Sequence, residues 1–148
     1  MNLKEMPLAD LRGMSCFFSG PMNVGKTRNV IQFLRDSRYY GLSSMGYNCL
    51  LNQREVDSLV INCREPYSGK SVGSIHELKD DFLMRRSRLS LHPKDPTLIG
   101  EPVVIEGIEH HVGYPLDVIG VDEINLFCLD EQGAQETHDF ILWCKDNS

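Results

Sequence analysis

The sequence predicts an α/β fold, a short parallel sheet flanked by helices, and three observations carry that expectation. Residues 14–18 (Met14, Ser15, Cys16, Phe17, Phe18) form an apolar run leading into a loop bounded by Gly20 and Gly25. Residues 116–122 form a second run, with Leu116, Val118, Ile119 and Val121 in its first six positions, as in a strand buried on both faces of a parallel sheet. Segments of helical spacing follow each run, and strands alternating with helices indicate a parallel sheet.

The elements follow in order. After the first strand and its loop, Val30, Ile31, Phe33 and Leu34 alternate with Arg28, Gln32, Arg35, Asp36 and Arg38, which predicts an amphipathic helix over residues 27–40. Residues 41–46, with two glycines and two serines, read as its exit loop. Either of two short apolar segments, 48–52 or 59–63, is the next strand. Residues 64–74 are rich in Gly, Ser and Pro and read as a loop. Ile75, Leu78, Phe82, Leu83 and Leu89 have helical spacing, with weak caps. Residues 92–102 carry three prolines and read as a connector. Val103, Val104 and Ile105 form a strand candidate, and residues 108–114 show no clear pattern. After Asp130 and Glu131 a final helix is expected to about residue 146.

The chain of 148 residues matches one domain, with no internal repeat or low-complexity tract. Its formal charge is −6, from 15 Lys plus Arg against 21 Asp plus Glu. That argues against a protein whose main task is to grip a nucleic-acid backbone. No apolar run approaches the ~20 residues of a membrane helix. Lys4, Glu5 and Asp10 precede any apolar stretch, unlike a secretory signal, so a cytoplasmic protein is expected. Cysteines at 16, 49, 63, 128 and 144 show no CxxC spacing, so they read as reduced, mostly buried thiols rather than a zinc site.

Gly20, Pro21, Met22, Asn23, Val24, Gly25, Lys26 and Thr27 fit the phosphate-binding loop pattern at every fixed position. In such a loop glycines allow close approach, backbone N–H groups form an anion nest, and a helix N-terminus adds its positive end. Lys26 would reach the β- and γ-phosphates of ATP, and the Thr27 hydroxyl would bind Mg²⁺. The fold expectation sharpens to a phosphate-loop (P-loop) NTPase-like, RecA-like sheet, a single ATP-binding domain over residues 1–148. The strand at 116–122 delivers Asp122 at its carboxyl end, where it can hold Mg²⁺. Glu123 follows as a candidate general base. The plainer alternative makes Asp122 a cap for the following turn.

These two segments resemble the type II thymidine kinases. The loop resembles that family's G-P-M-x-x-G-K-S/T, and residues 118–127 (VIGVDEINLF) resemble its second motif. The resemblance implies ATP- and Mg²⁺-dependent phosphoryl transfer to the 5′-hydroxyl of deoxythymidine, a step of DNA precursor synthesis. By position Glu123 falls on the family's catalytic base, Asp122 on its acidic Mg²⁺ residue and Met22 near its thymine pocket. Phe127 matches; Asn125 replaces a Gln and Leu126 an aromatic that packs near the base. The family's D-x-R segment finds no match at Asp57 or at Arg64. The chain stops about where the next family strand would begin and lacks paired cysteines for the family's zinc lasso. The expectation is therefore the donor half of the kinase, resembling its N-terminal part, with a homo-oligomer formed through the open sheet edge.

Two other readings accompany the kinase: an ATP-binding domain or fragment of this family without nucleoside chemistry, and a small P-loop NTPase needing an arginine finger. Arg85, Arg86 and Arg88 form the basic cluster and read as a solvated helix face. His110 and His111 read as a loop pair rather than a metal site with Glu106 and Glu109. Tyr39 and Tyr40 read as a packing pair at a helix end, and Trp143 as a cover for the core.

Overall fold

A computed structural model describes residues 26–39, 42–49, 58–59, 67–90, 97, 100–112 and 116–147. The expected strand at 14–18 and the loop residues 20–25 lie outside the described residues, as do most of segment 59–63, Asp57, Arg64, Cys16, Cys63 and Tyr40.

The described chain is mixed α/β. Helix α1 (Lys26–Tyr39) leads into β1 (Ser43–Cys49), then β2 (Ser58–Leu59) and β3 (Tyr67–Val72). Helix α2 (Ile75–Ser90), a hairpin of β4 (Pro102–Ile105) and β5 (Ile108–His111), and β6 (Leu116–Asp122) follow. A 3-10 turn (Ile124–Cys128) and helix α3 (Glu131–Asp146) close the sequence of elements. The main sheet has the order β2-β3-β1-β6. β1 runs parallel to both β3 and β6, and β2 adds an antiparallel edge.

One helix covers one face of this sheet. Ile31 and Leu34 of α1 are buried against Val118 of β6. The opposite face holds the larger core. There Met45, Tyr47, Cys49 and Val72 from the strands meet Ile75, Leu78, Phe82 and Leu89 of α2 and Phe140 of α3. Ile105 of β4 and Phe127 of the 3-10 turn join them. Trp143 packs against this cluster and stacks on Phe140 at 6.0 Å between ring centroids, as its covering role requires.

Two stretches differ from the sequence expectation. Residues 43–46 belong to β1 rather than to an exit loop, and Tyr67–Val72 is a strand within the expected 64–74 loop. The cause is the same. Gly46 of β1 and Gly69 of β3 are paired, and a Cβ on Gly69 would lie 2.8 Å from the Gly46 carbonyl oxygen. Only glycine fits this contact at position 69, and with Ser68, Lys70 and Ser71 around it β3 lacks the apolar signature of a buried strand. Helix α2 is also better capped than its sequence suggests. The Ser74 hydroxyl accepts from the Glu77 N–H (3.2 Å), and the Glu77 carboxylate accepts from the Gly73 N–H (2.8 Å). No described helix is long and apolar enough to cross a membrane. Among the cysteines Cys49 is buried, Cys144 half-buried and Cys128 exposed, so burial holds for only part of the set.

Candidate functional site at the carboxyl edge of the sheet

Residues paired across a sheet point to the same side, and successive residues alternate. Ser44, Gly46 and Asn48 of β1 therefore share a face with Val118, Gly120 and Asp122 of β6, their registered partners. Gly69 and Ser71 of β3 continue the same face. It is the face that α1 covers. The Ser44 hydroxyl donates to the Leu34 carbonyl (3.0 Å), and a Cβ on Gly120 would meet the Leu34 side chain at 2.8 Å. Gly120 thus lets α1 lie close on the sheet.

The direction of α1 follows from its ends. Its last turn meets the start of β1, where the Leu42 N–H donates to the Ser37 carbonyl (3.2 Å). Leu34, earlier in the helix than Ser37, lies further along the strands, at Ser44 and Gly120, so α1 runs antiparallel to β1 and β6. From Leu34 back to Lys26 the helix rises ~12 Å. From Gly120, level with Leu34, to Asp122 the strand advances ~7 Å. Lys26 and Thr27, which open α1, therefore stand toward the edge where β1 and β6 end.

That edge carries a row of buried polar residues: Ser71, Asn48 and Asp122, registered side by side on the α1 face. Asp122 is 5% exposed and Asn48 is fully buried. Glu123 follows Asp122 with φ 54° and ψ 45°, a left-handed conformation that a glutamate adopts at a cost of about 1–2 kcal/mol. It occupies the cap position of the 3-10 turn, yet its side chain makes no capping bond there. The turn is closed by the backbone instead, the Leu126 N–H donating to the Glu123 carbonyl (3.0 Å). Of the flanking residues, Phe127 is buried in the core, Leu126 packs against it and Asn125 is exposed. The first turn of α1 carries no acidic residue, whereas α2 and α3 have Glu77 and Glu131 there. An anion at the opening of α1 would meet no like charge from that turn.

Of the sequence-predicted residues, the structure brings Asp122 and Glu123 to the strand edge toward which α1 opens with Lys26 and Thr27. Gly20, Pro21, Met22, Asn23, Val24 and Gly25 lie outside the described residues. No group of three or more His, Cys, Asp or Glu suited to a metal exists among the described residues.

A second polar cluster, on the other face of the sheet, corrects the reading of the basic residues. Arg85 is fully buried and is not part of a solvated face. Its Nε donates to Asp81 Oδ2 (2.7 Å), and its Nη1 donates to the Ile105 carbonyl (2.6 Å) and to His110 Nε2 (3.2 Å). Asp81 also accepts from the Tyr47 hydroxyl (2.6 Å) and from Lys70 Nζ (2.9 Å). Lys70 reaches Glu106 at the hairpin tip (3.6 Å) as well. The cluster thereby joins β1, β3, α2 and the β4–β5 hairpin. Arg86, by contrast, is half-exposed and pairs with Asp117 (3.1 Å), and Arg88 is exposed, as expected.

The electrostatics follow from these bonds. Burial alone would raise the Asp81 carboxyl, but the bonds from Arg85, Tyr47 and Lys70 outweigh it and hold Asp81 below its ordinary range. Burial, and then the bond to Asp81, push the Tyr47 phenol above its ordinary range. His110 belongs to strand β5 rather than to a loop. Burial first, and Arg85 second, push its pKa down to about 4, with Asp81 opposing and His111 adding to the fall. Arg85 can only donate, so His110 accepts at Nε2 and is neutral, with its proton on Nδ1. The signal for this cluster was the four-residue spacing of Asp81 and Arg85 on one helix; nothing local marks Tyr47 or His110.

No protein-family model, no curated protein and no solved structure matches this chain.

Proposed function

We propose that this chain binds Mg-ATP at residues 20–27 and transfers the γ-phosphoryl group to the 5′-hydroxyl of a deoxynucleoside, with deoxythymidine the preferred acceptor. The observation that carries this reading is a shared face. Asp122 ends a parallel strand on the side covered by α1, the helix whose opening residues complete the phosphate-loop sequence. Ligands of open α/β sheets bind outside the carboxyl ends of the strands, which is this edge.

The donor set suits Mg²⁺. That ion takes oxygen ligands, typically one or two carboxylates together with substrate phosphates. The buried Asp122 carboxylate and the Thr27 hydroxyl would hold it. When bound, it supplies positive charge to the β- and γ-phosphates. The chain's own groups then have distinct roles. Backbone N–H groups of the loop and the positive end of α1 bind the phosphates. Lys26 neutralises charge on the γ-phosphoryl oxygens. Glu123 takes the proton of the acceptor hydroxyl as the new O–P bond forms and the bond to the β-phosphate oxygen breaks, releasing ADP. Its left-handed backbone turns the side chain away from the strand direction that a β conformation would impose.

The test is ADP release from Mg-ATP with and without deoxythymidine, for the natural chain, Lys26→Ala and Glu123→Gln. The reading expects turnover stimulated by deoxythymidine and lost in both variants. ATP bound in a Lys26-dependent way without stimulation would reduce the function to nucleotide binding. Hydrolysis indifferent to deoxynucleosides would replace it with a simple NTPase. The reading includes self-association along a sheet edge, which native mass measurement checks.

A further inference from the structure

We infer that Asn48 is a positioning residue for the Asp122 carboxylate, and so sets the divalent-cation requirement of the site. The inference rests on the proposed function and extends it to a residue that no phosphate-loop motif contains.

Three observations carry it. First, along the α1 face the registered positions change character at one level. Gly69, Gly46 and Gly120 form one row, and Leu34 lies against Gly120. The next row is Ser71, Asn48 and Asp122, all buried and all polar. A helix packed on an ordinary sheet would meet apolar side chains at this level. Second, Asn48 is the middle member and is fully buried, although a buried amide is costly unless bonded. Third, the chemistry of the row has a direction. An ionised carboxylate only accepts, a hydroxyl can donate, and an amide does both. On strands ~4.8 Å apart, the amide N–H group suits Asp122 and the amide carbonyl suits Ser71. That arrangement would fix the rotation of the Asp122 carboxylate, as the partners of metal-binding carboxylates do elsewhere.

The experiment is a double-mutant cycle read by binding rather than turnover. A fluorescent ATP analogue is titrated at a series of Mg²⁺ concentrations for the natural chain, Asn48→Ala, Asp122→Asn and the double variant. Melting temperatures are recorded for each. The expected result is a rise of about tenfold in the Mg²⁺ concentration for half-maximal binding in Asn48→Ala, with Mg²⁺-free binding unchanged. In the Asp122→Asn background the same substitution should change that concentration less than about twofold, because the group it positions is gone. A merely structural Asn48 would lower the melting temperature equally in both backgrounds and leave the Mg²⁺ requirement alone. That result overturns the inference, as does an equal change of Mg²⁺ requirement in both backgrounds. If Asn48→Ala does not fold, Asn48→Leu, which is close in shape and carries neither amide nor charge, takes its place in the cycle with the same criteria. Absence of Lys26-dependent ATP binding in the natural chain overturns the proposed function, and this inference with it. Lys26-dependent binding without coupling between Asn48 and Asp122 overturns the inference alone.

Discussion

Removing Asp81 should harm the fold more than removing Arg85, although the two are partners. After Arg85→Met, Asp81 keeps the Tyr47 hydroxyl at 2.6 Å and Lys70 Nζ at 2.9 Å. After Asp81→Ala, Arg85 stays fully buried with only the Ile105 carbonyl and His110 as partners, neither of them an anion. Breaking a buried pair costs about 3–5 kcal/mol when it strands a charge. Asp81→Ala belongs in the middle of that range, at about 4 kcal/mol, and Lys70 adds little because its side chain is 29% exposed. Arg85→Met strands no charge. It leaves the Ile105 carbonyl and His110 Nε2 without their donor and returns some apolar contact, for a net loss of about 1–2 kcal/mol. In a domain of this size the two losses lower the melting temperature by about 8–16 °C and about 2–8 °C. The double variant Asp81→Leu/Arg85→Met should recover most of the loss seen in Asp81→Ala, since apolar replacements of a buried pair are often neutral. Urea titration followed by circular dichroism gives the free energies, and a thermal scan gives the melting points. Equal losses in the two single variants, or a double variant no better than Asp81→Ala, would refute this account of the cluster.

Other outcomes follow from the same geometry. His110 has its pKa lowered in the folded chain to about 4, so its contribution is complete above its ordinary value and is lost as pH falls toward 4. The fall from 6.5 to about 4 corresponds to about 3 kcal/mol, and His110→Gln should flatten stability between pH 6.5 and 4 in urea titrations. Gly120→Ala should destabilise by about 1–3 kcal/mol, because the added carbon meets Leu34 of α1 at 2.8 Å; Gly120→Ala/Leu34→Ala should not show the same added penalty. Glu123→Gly should raise stability by up to about 1 kcal/mol by relieving the left-handed backbone, and under the proposed function it should abolish the deoxythymidine-stimulated ADP release expected of the natural chain.

Much of the fold was legible wherever periodicity carried it. Strand β6 was read at its observed bounds, and α1 was expected one residue later at each end than Lys26–Tyr39. Asp122 and Glu123 were legible because an acidic pair closing an apolar run is a local pattern. What escaped the sequence depended on partners far away in the chain. Ser44 looks like a loop residue until its hydroxyl is seen to reach the Leu34 carbonyl of α1, and Gly46 until it is seen paired between Gly69 and Gly120. Asn48 has no motif at all; its place beside Asp122 comes only from the pairing register. The hairpin was half-legible. Glu106 and Gly107 both take positive φ, and the glycine after Glu106 is a turn signal that fits the second of two such positions. Arg85 was misread because a run of arginines on a helix is ordinarily solvated, and its burial required Asp81 one turn earlier together with the hairpin above it.

The alternation along β1 has a mechanical consequence. Tyr47 belongs to the side that anchors Asp81, and Asn48 to the side that bears the polar row. Sliding the strand by a single position would exchange them, sending the phenol toward α1 and the amide into the core. No slipped arrangement keeps one side correct while spoiling the other. Assembly of the stable half and alignment of the Asn48–Asp122 edge are therefore one event, and insertion or deletion of one residue within β1 would abolish both together.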